Sequence, residues 1–127
     1  MRSYPYKKDS RGNLFPIIHF QVEYKKSFSK TSALIDSGAT ISIFREDVAK
    51  QLGLDITHGI PTFLGGVGGR IKGYVHNLKL KIAGKSLLVP VVFSYEYSVS
   101  FNLIGRSGVF EKFKITFDEK NLIVKVE

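Results

Sequence analysis

From Ile18 to Lys25 the chain alternates strictly, with Ile18, Phe20, Val22 and Tyr24 apolar and His19, Gln21, Glu23 and Lys25 polar. A period of two sends successive side chains to opposite faces, so this segment predicts a half-buried strand. A second strand is expected from Phe28 to Ile35, ending at Asp36. The period then changes. Phe44, Val48 and Leu52 recur at i, i+4 and i+8, and Gly53 stands where a left-handed glycine commonly ends a helix, which predicts one short helix over 44–52. Strand patterns return in "IPTFL" and in "RIKGYVHNLKLKI", where Leu78, Leu80 and Ile82 oppose Lys79 and Lys81, and the glycine-rich "GGVGG" lies between them. Ala83-Gly84-Lys85-Ser86 predicts a hairpin connection into "LLVPVVF", a strand near the core whose Pro90 requires an edge or a bulge. After the loop "SYEYSVSFN" come a short buried strand at "LIG", one or two helical turns at "RSGVFEKF", and a terminal hairpin of "KITF" and "LIVKV". Residues 1–13 are polar and basic without such a pattern and are read as a flexible N-terminal arm on a single domain spanning 14–127. The expectation is an all-β fold with one or two short helices.

Composition narrows the chemistry. Hydrophobic residues make up 43% and charged residues 24% of the chain, ordinary globular usage that argues against disorder. Nineteen basic residues against eleven acidic give a net charge of +8. The lysines are dispersed and outnumber the arginines, so they read as solvated surface, and no nucleic acid partner is expected. The absence of cysteine excludes disulfides, thiol nucleophiles and thiolate metal sites. His19, His58 and His76 lack ligand spacing, so no metal and no cofactor is expected. Without an apolar leader-like segment or a spanning run, the reading is a soluble cytoplasmic protein.

Against this background Asp36 stands out, because Ala33-Leu34-Ile35 precede it and Ser37-Gly38-Ala39 follow before apolar residues resume at Ile41. Asp-Ser-Gly alone is a common turn, but a turn carboxylate seldom ends an apolar strand. Hydrolysis of a peptide by carboxylates needs two of them sharing a proton. Asp9, Asp47, Asp55 and Asp118 lie in the arm, on the helix, after the helix and in the terminal hairpin, and none has a comparable setting. A twofold homodimer would bring Asp36 to its axis twice. The second constellation, Gly65-Gly66-Val67-Gly68-Gly69, lacks the Gly-Lys-Ser/Thr and the helix of a phosphate-binding loop and reads as a mobile hairpin tip.

Taken in order, these motifs resemble those of the retropepsin family, the retroviral-type aspartic proteases that work as homodimers. Asp36-Ser37-Gly38-Ala39 resembles the catalytic loop, Gly65 to Gly69 with Ile71-Lys72 resembles the flap, and Leu103-Ile104-Gly105-Arg106 resembles the segment beneath the catalytic loop. The resemblance covers roughly residues 15–120. It implies a closed retropepsin-like barrel, homodimeric, and an aspartic endopeptidase acting on polypeptides. Asp36 would be the catalytic acid, Ser37 would bond across the axis, and Gly38 and Ala39 would complete the loop. Val67 and its flanking glycines would close over substrate, with Leu34, Ile43, Ile71, Phe101 and Leu103 lining its pockets. Thr40 and Ile41 stand where the retroviral enzymes often carry two acids, which leaves open the partner of Arg106, itself read as a structural ion-pair residue. The helix is similar to that of the cellular and prokaryotic branch. The alternative is a retropepsin-fold dimerisation or peptide-binding module with little or no proteolysis.

Overall fold

The computed structural model describes residues 1–66 and 68–127. Val67, named above for the flap tip, lies outside the described residues. Strands β1 (Arg2–Pro5), β2 (Lys7–Lys8), β3 (Leu14–Phe15), β4 (Ile17–Tyr24), β5 (Ser27–Ile35) and β6 (Ser42–Phe44) lead into helix α1 (Glu46–Leu52) and a 3-10 turn, Ile56–His58. Strands β7 (Ile60–Gly66), β8 (Gly69–Ile82), β9 (Lys85–Phe93) and β10 (Asn102–Ile104) follow, then a 3-10 turn at Phe110–Lys112 and the hairpin β11 (Ile115–Asp118) and β12 (Ile123–Val126). Seven strands form one sheet in the order β4-β5-β10-β6-β9-β8-β7, and β4 also pairs with β8. Six strands therefore close into a ring, and β7 remains outside it as the free arm of the β7–β8 hairpin.

The period-two reading of β4 holds, since Ile18, Phe20 and Val22 are buried while His19 is exposed. Leu78, Leu80 and Ile82 of β8 and Val89, Val91 and Phe93 of β9 meet them in the core, where Phe44 packs 5.6 Å from Phe20 and 6.2 Å from Phe93 between ring centroids. Ala83 and Gly84 both take positive φ between Ile82 and Lys85, the two-residue hairpin that suits strand twist. Pro90 also finds the edge it needs. On the side away from β8, strand β6 pairs with β9 only from Val91 onward.

Two expectations change. The helix begins at Glu46 rather than Phe44, because Phe44 belongs to β6 and Arg45 is extended at φ −72°, ψ 155°. The Arg45 backbone N–H donates to the Asn102 Oδ1 at 2.7 Å, a tertiary bond that holds the chain extended where side-chain period alone favours helix. Gly53 does end the helix, left-handed at φ 65°, its N–H donating to the Lys50 carbonyl.

The N-terminal segment is no loose arm either. Strand β1 pairs along its length with β12, β2 pairs with β3, and Tyr6 is buried. The partner of β1 is at the far end of the chain, so no local pattern could announce the pairing. Burying a large aromatic side chain contributes about 2 kcal/mol. Removal of residues 1–6 is therefore expected to lower the thermal midpoint by several degrees, measured by circular dichroism; an arm without contacts would leave it unchanged.

Candidate active site

Asp36 follows the last residue of β5, and its apolar neighbours divide between two faces. Ile35 enters the core, while Leu34 is half-buried on the opposite face. The carboxylate is half-buried and accepts the Gly38 N–H at 2.9 Å, and Ala39 donates to the Asp36 carbonyl at 3.2 Å, which makes a tight turn. Ser37 and Gly38 at its crest are exposed, and Ala39 is half-buried.

Strand β10 holds this turn from below. It lies between β5, to which it is parallel, and β6, to which it is antiparallel. The Asp36 N–H donates to the Ile104 carbonyl at 2.9 Å, Arg106 donates its backbone N–H to the Ala39 carbonyl at 2.9 Å, and Ser107 donates to the Thr40 carbonyl at 2.9 Å. The Gly105 N–H donates to the Ser42 Oγ at 3.0 Å. The loop backbone passes so close to Gly105 that a Cβ there would lie 2.6 Å from the Ile41 carbonyl carbon and oxygen.

The same register assembles an apolar row. Leu103 is opposite Leu34 on one side and Ile43 on the other, and all three are half-buried while their neighbours Ala33, Ile35, Ser42, Phe44, Asn102 and Ile104 face inward. Three residues from three separate segments thus share one face beside Asp36. Phe101 is half-buried against Phe15, with centroids 5.6 Å apart. Ile71 is on β8 opposite Leu64, in the β7–β8 hairpin that stays paired out to Gly66 and Gly69. Among the described residues, nothing approaches within 4 Å of a Cβ built on Gly65, Gly66, Gly68 or Gly69, so these four glycines are not packed against the rest of the fold.

Three positioning residues escape the sequence reading. The Ser42 hydroxyl fixes Gly105, and the Asn102 amide spans three segments, accepting from Arg45 and donating to the Ser32 carbonyl at 2.9 Å. A buried polar residue inside each apolar triplet, "SIF" and "NLI", is the available signal. Tyr97, in the loop before β10, donates its hydroxyl to the Phe101 carbonyl at 2.7 Å. Burial pushes that hydroxyl up to about 12, opposed by the Arg45 guanidinium and reinforced by the Asp36 carboxylate, so Tyr97 stays neutral beside the site. Arg106 is not the ion-pair residue expected of it. It has no ion pair among the described residues, and its guanidinium lies 5.3 Å from the Phe110 ring centroid.

The other aspartates have local tasks. Asp55 accepts from the Thr57 hydroxyl at 2.8 Å and from its N–H at 3.1 Å, Asp118 accepts from both nitrogens of Asn121, and Asp9 accepts from the Arg11 and Asn13 amides. Asp47 meets Arg45 at 3.3 Å. The Thr57 hydroxyl holds the Asp55 carboxyl below its ordinary value, and the Asn121 amide does the same for Asp118. At Asp9, burial pulls upward, but the donors from Asn13 and Arg11 prevail and lower it. A carboxyl lowered in the folded state stabilises it above the unfolded value of about 3.9, and that contribution disappears as pH falls through the folded value. Stability to urea is thus expected to be level from pH 7 to 5 and to decline below about pH 4; a decline already complete at pH 5 would contradict these assignments.

The comparisons with known proteins agree with this geometry. A family model described as aspartyl protease matches residues 21–107, from β4 through the segment beneath the Asp36 loop. The chain belongs to the aspartyl protease family. Its fold is retropepsin-like, similar to that of the EIAV protease complexed with the inhibitor HBY-793, with a TM-score of 0.57 and 19% identity over 72% of this chain and 82% of that one. No curated protein matches the chain. Among the described residues, no helix is long and apolar enough to cross a membrane.

Proposed function

We propose that this member of the aspartyl protease family is an endopeptidase that works as a homodimer, with one Asp36 from each subunit forming the catalytic pair. The observation that carries the reading is the clamped Asp36 turn beside the row Leu34–Leu103–Ile43. Asp9, Asp47, Asp55 and Asp118 each have local partners, which supports drawing the second aspartate of the pair from a second chain. In such a pair one carboxylate is ionised and takes a proton from water. The water oxygen then bonds to the scissile carbonyl carbon while the other, protonated carboxyl donates to the carbonyl oxygen. Collapse of the tetrahedral intermediate breaks the C–N bond as a proton passes to the leaving amine. Ser37 would steady the two loops across the axis, and Gly38 would present backbone to the peptide. The glycine-rich β7–β8 hairpin, with Gly65, Gly66, Val67, Gly68, Gly69 and Ile71, would cover an extended substrate and bond to its backbone. Leu34, Ile43, Leu103 and Phe101 favour apolar side chains flanking the cleaved bond.

The test is cleavage of an unbiased peptide library over a range of enzyme concentrations. Below the dimer dissociation constant, rate should rise with the square of concentration, and cleavage should fall between apolar residues. A first-order dependence at concentrations where sedimentation shows the chain to be monomeric would exclude a shared site. A folded dimer that binds but never cuts peptides would replace this reading with a peptide-binding module.

A further inference from the structure

The outward face of the ring carries a second concavity that the Asp36 chemistry does not use. It has a volume of about 590 Å³, within the roughly 300–1,000 Å³ typical of small-molecule sites. Its walls come from β4, β5 and β8, from β1, and from Gly84 of the β8–β9 turn. Gln21 of β4 is opposite Lys30 of β5 on one side and Lys81 of β8 on the other. Two strand spacings separate the lysine backbones, roughly 10 Å. Arg2 reaches in from β1, with a guanidinium nitrogen 3.8 Å from the position of a Cβ on Gly84. Thr31 and Ser32 contribute to the lining, and no carboxylate does.

The adjacent row shows how this sheet ordinarily treats a lysine. Two residues along β4, Glu23 is opposite Lys79 and pairs with it at 3.7 Å. At the next row on the same face the β4 residue is neutral, and a lysine flanks it on each side. Cations that converge without a counter-charge raise a positive potential, which a concave wall focuses. An elongated, multiply charged anion suits this spread of positive charge, since each of its charged groups can engage a different one of Lys30, Lys81 and Arg2.

We propose that this groove binds a small ligand bearing two or more linked phosphate groups, held by Lys30, Lys81 and Arg2 around Gln21. The ligand is small because the cationic positions close around a pocket rather than forming a stripe along the surface, as a nucleic-acid track would require. The site is independent of the proposed proteolytic centre, so Asp36→Asn should bind as the wild type does.

The experiment is titration calorimetry at fixed ionic strength with inorganic tripolyphosphate and, separately, with a nucleoside triphosphate. Saturable one-to-one binding is expected. Equal affinity for the two would identify the phosphate chain as the whole determinant, and tighter nucleoside triphosphate binding would add a contact to the base or sugar. Lys30→Gln/Lys81→Gln should weaken binding at least tenfold, while the charge-matched Lys26→Gln/Lys120→Gln should change it less than twofold. Gln21→Glu is the sharper variant. It places a carboxylate between the lysines, as at Glu23, and should abolish binding while leaving the thermal midpoint unchanged or raised. Equal losses in the two lysine pairs would overturn the proposal, as would the absence of saturation. So would binding of an RNA oligomer that exceeds tripolyphosphate and ignores Lys30→Gln/Lys81→Gln.

Discussion

Asp36→Asn is expected to abolish peptide hydrolysis while leaving the fold intact. An amide keeps an oxygen at the position that accepts the Gly38 N–H at 2.9 Å, so the turn and its bonds to β10 should survive. What it loses is the ability to take or give a proton at that atom. General acid–base catalysis contributes about 10²–10⁴-fold, and a homodimer of the Asp36→Asn variant lacks both members of the pair, so kcat should fall by at least about 10³-fold. The thermal midpoint should shift by no more than about 2 °C. The wild type should show a bell-shaped dependence of kcat/KM on pH, falling once both carboxylates ionise or both protonate. Mixed dimers sharpen the result, because one Asp36→Asn subunit paired with one wild-type subunit should also be inactive. Residual cleavage at half the wild-type rate in such a mixture would mean that each chain carries a complete site. The acid limb should be read only where the fold persists, since Asp9, Asp55 and Asp118 lose their stabilising charge in the same direction.

Gly105→Ala is expected to destabilise the protein more than any other single methyl addition near the site. Its Cβ would meet the Ile41 carbonyl carbon and oxygen at 2.6 Å and the Ala39 oxygen at 2.9 Å. All of these are backbone atoms, so no rotamer change relieves the contact. Either β10 shifts away from β6, breaking the bonds of Gly105 to Ser42 and of Arg106 to Ala39, or the Asp36 turn lifts. Overpacking of this kind typically costs about 1–3 kcal/mol and sometimes more, and with two hydrogen bonds at risk, that of Gly105 to Ser42 buried, we expect about 3–5 kcal/mol by urea unfolding. Gly65→Ala and Gly66→Ala are the controls. A Cβ at either meets none of the described residues within 4 Å, and neither glycine has positive φ, so each should cost less than about 0.5 kcal/mol. If those two variants keep full stability yet reduce kcat/KM, hairpin motion and not folding is what the glycines serve. A Gly105→Ala protein as stable as the wild type would refute the clamp.

The contrast among these glycines also marks how far the sequence can be read. Local pattern is enough for β4, β5, the β7–β8 hairpin and the Ala83-Gly84 turn, because the period of two and the turn residues act over a few positions. It also locates Asp36, since a carboxylate that ends an apolar strand is a local anomaly, and the order of the three motifs carries the family resemblance. Gly105, taken by itself, says little. Its meaning depends on Ile41 and Ala39, far earlier in the chain, which only the insertion of β10 between β5 and β6 brings against it. The row Leu34–Leu103–Ile43 has the same origin, because each member is an ordinary apolar residue until parallel and antiparallel pairing align them. Spacing alone assigns Phe44 to the helix, whereas a side-chain bond from Asn102 keeps Arg45 extended and leaves Phe44 in β6. The N-terminal strand is invisible in the sequence because its partner is the last strand. The lysines of the outer groove look like dispersed solvated charge, since Lys30 and Lys81 become neighbours of Gln21 only when β4 joins both β5 and β8. Sequence by itself determined the elements, the candidate acid and the family resemblance, all of which follow from interactions short in chain distance. Tertiary structure decided what clamps the acid, what lines its face and which charges converge, because those depend on register between strands far apart in the chain.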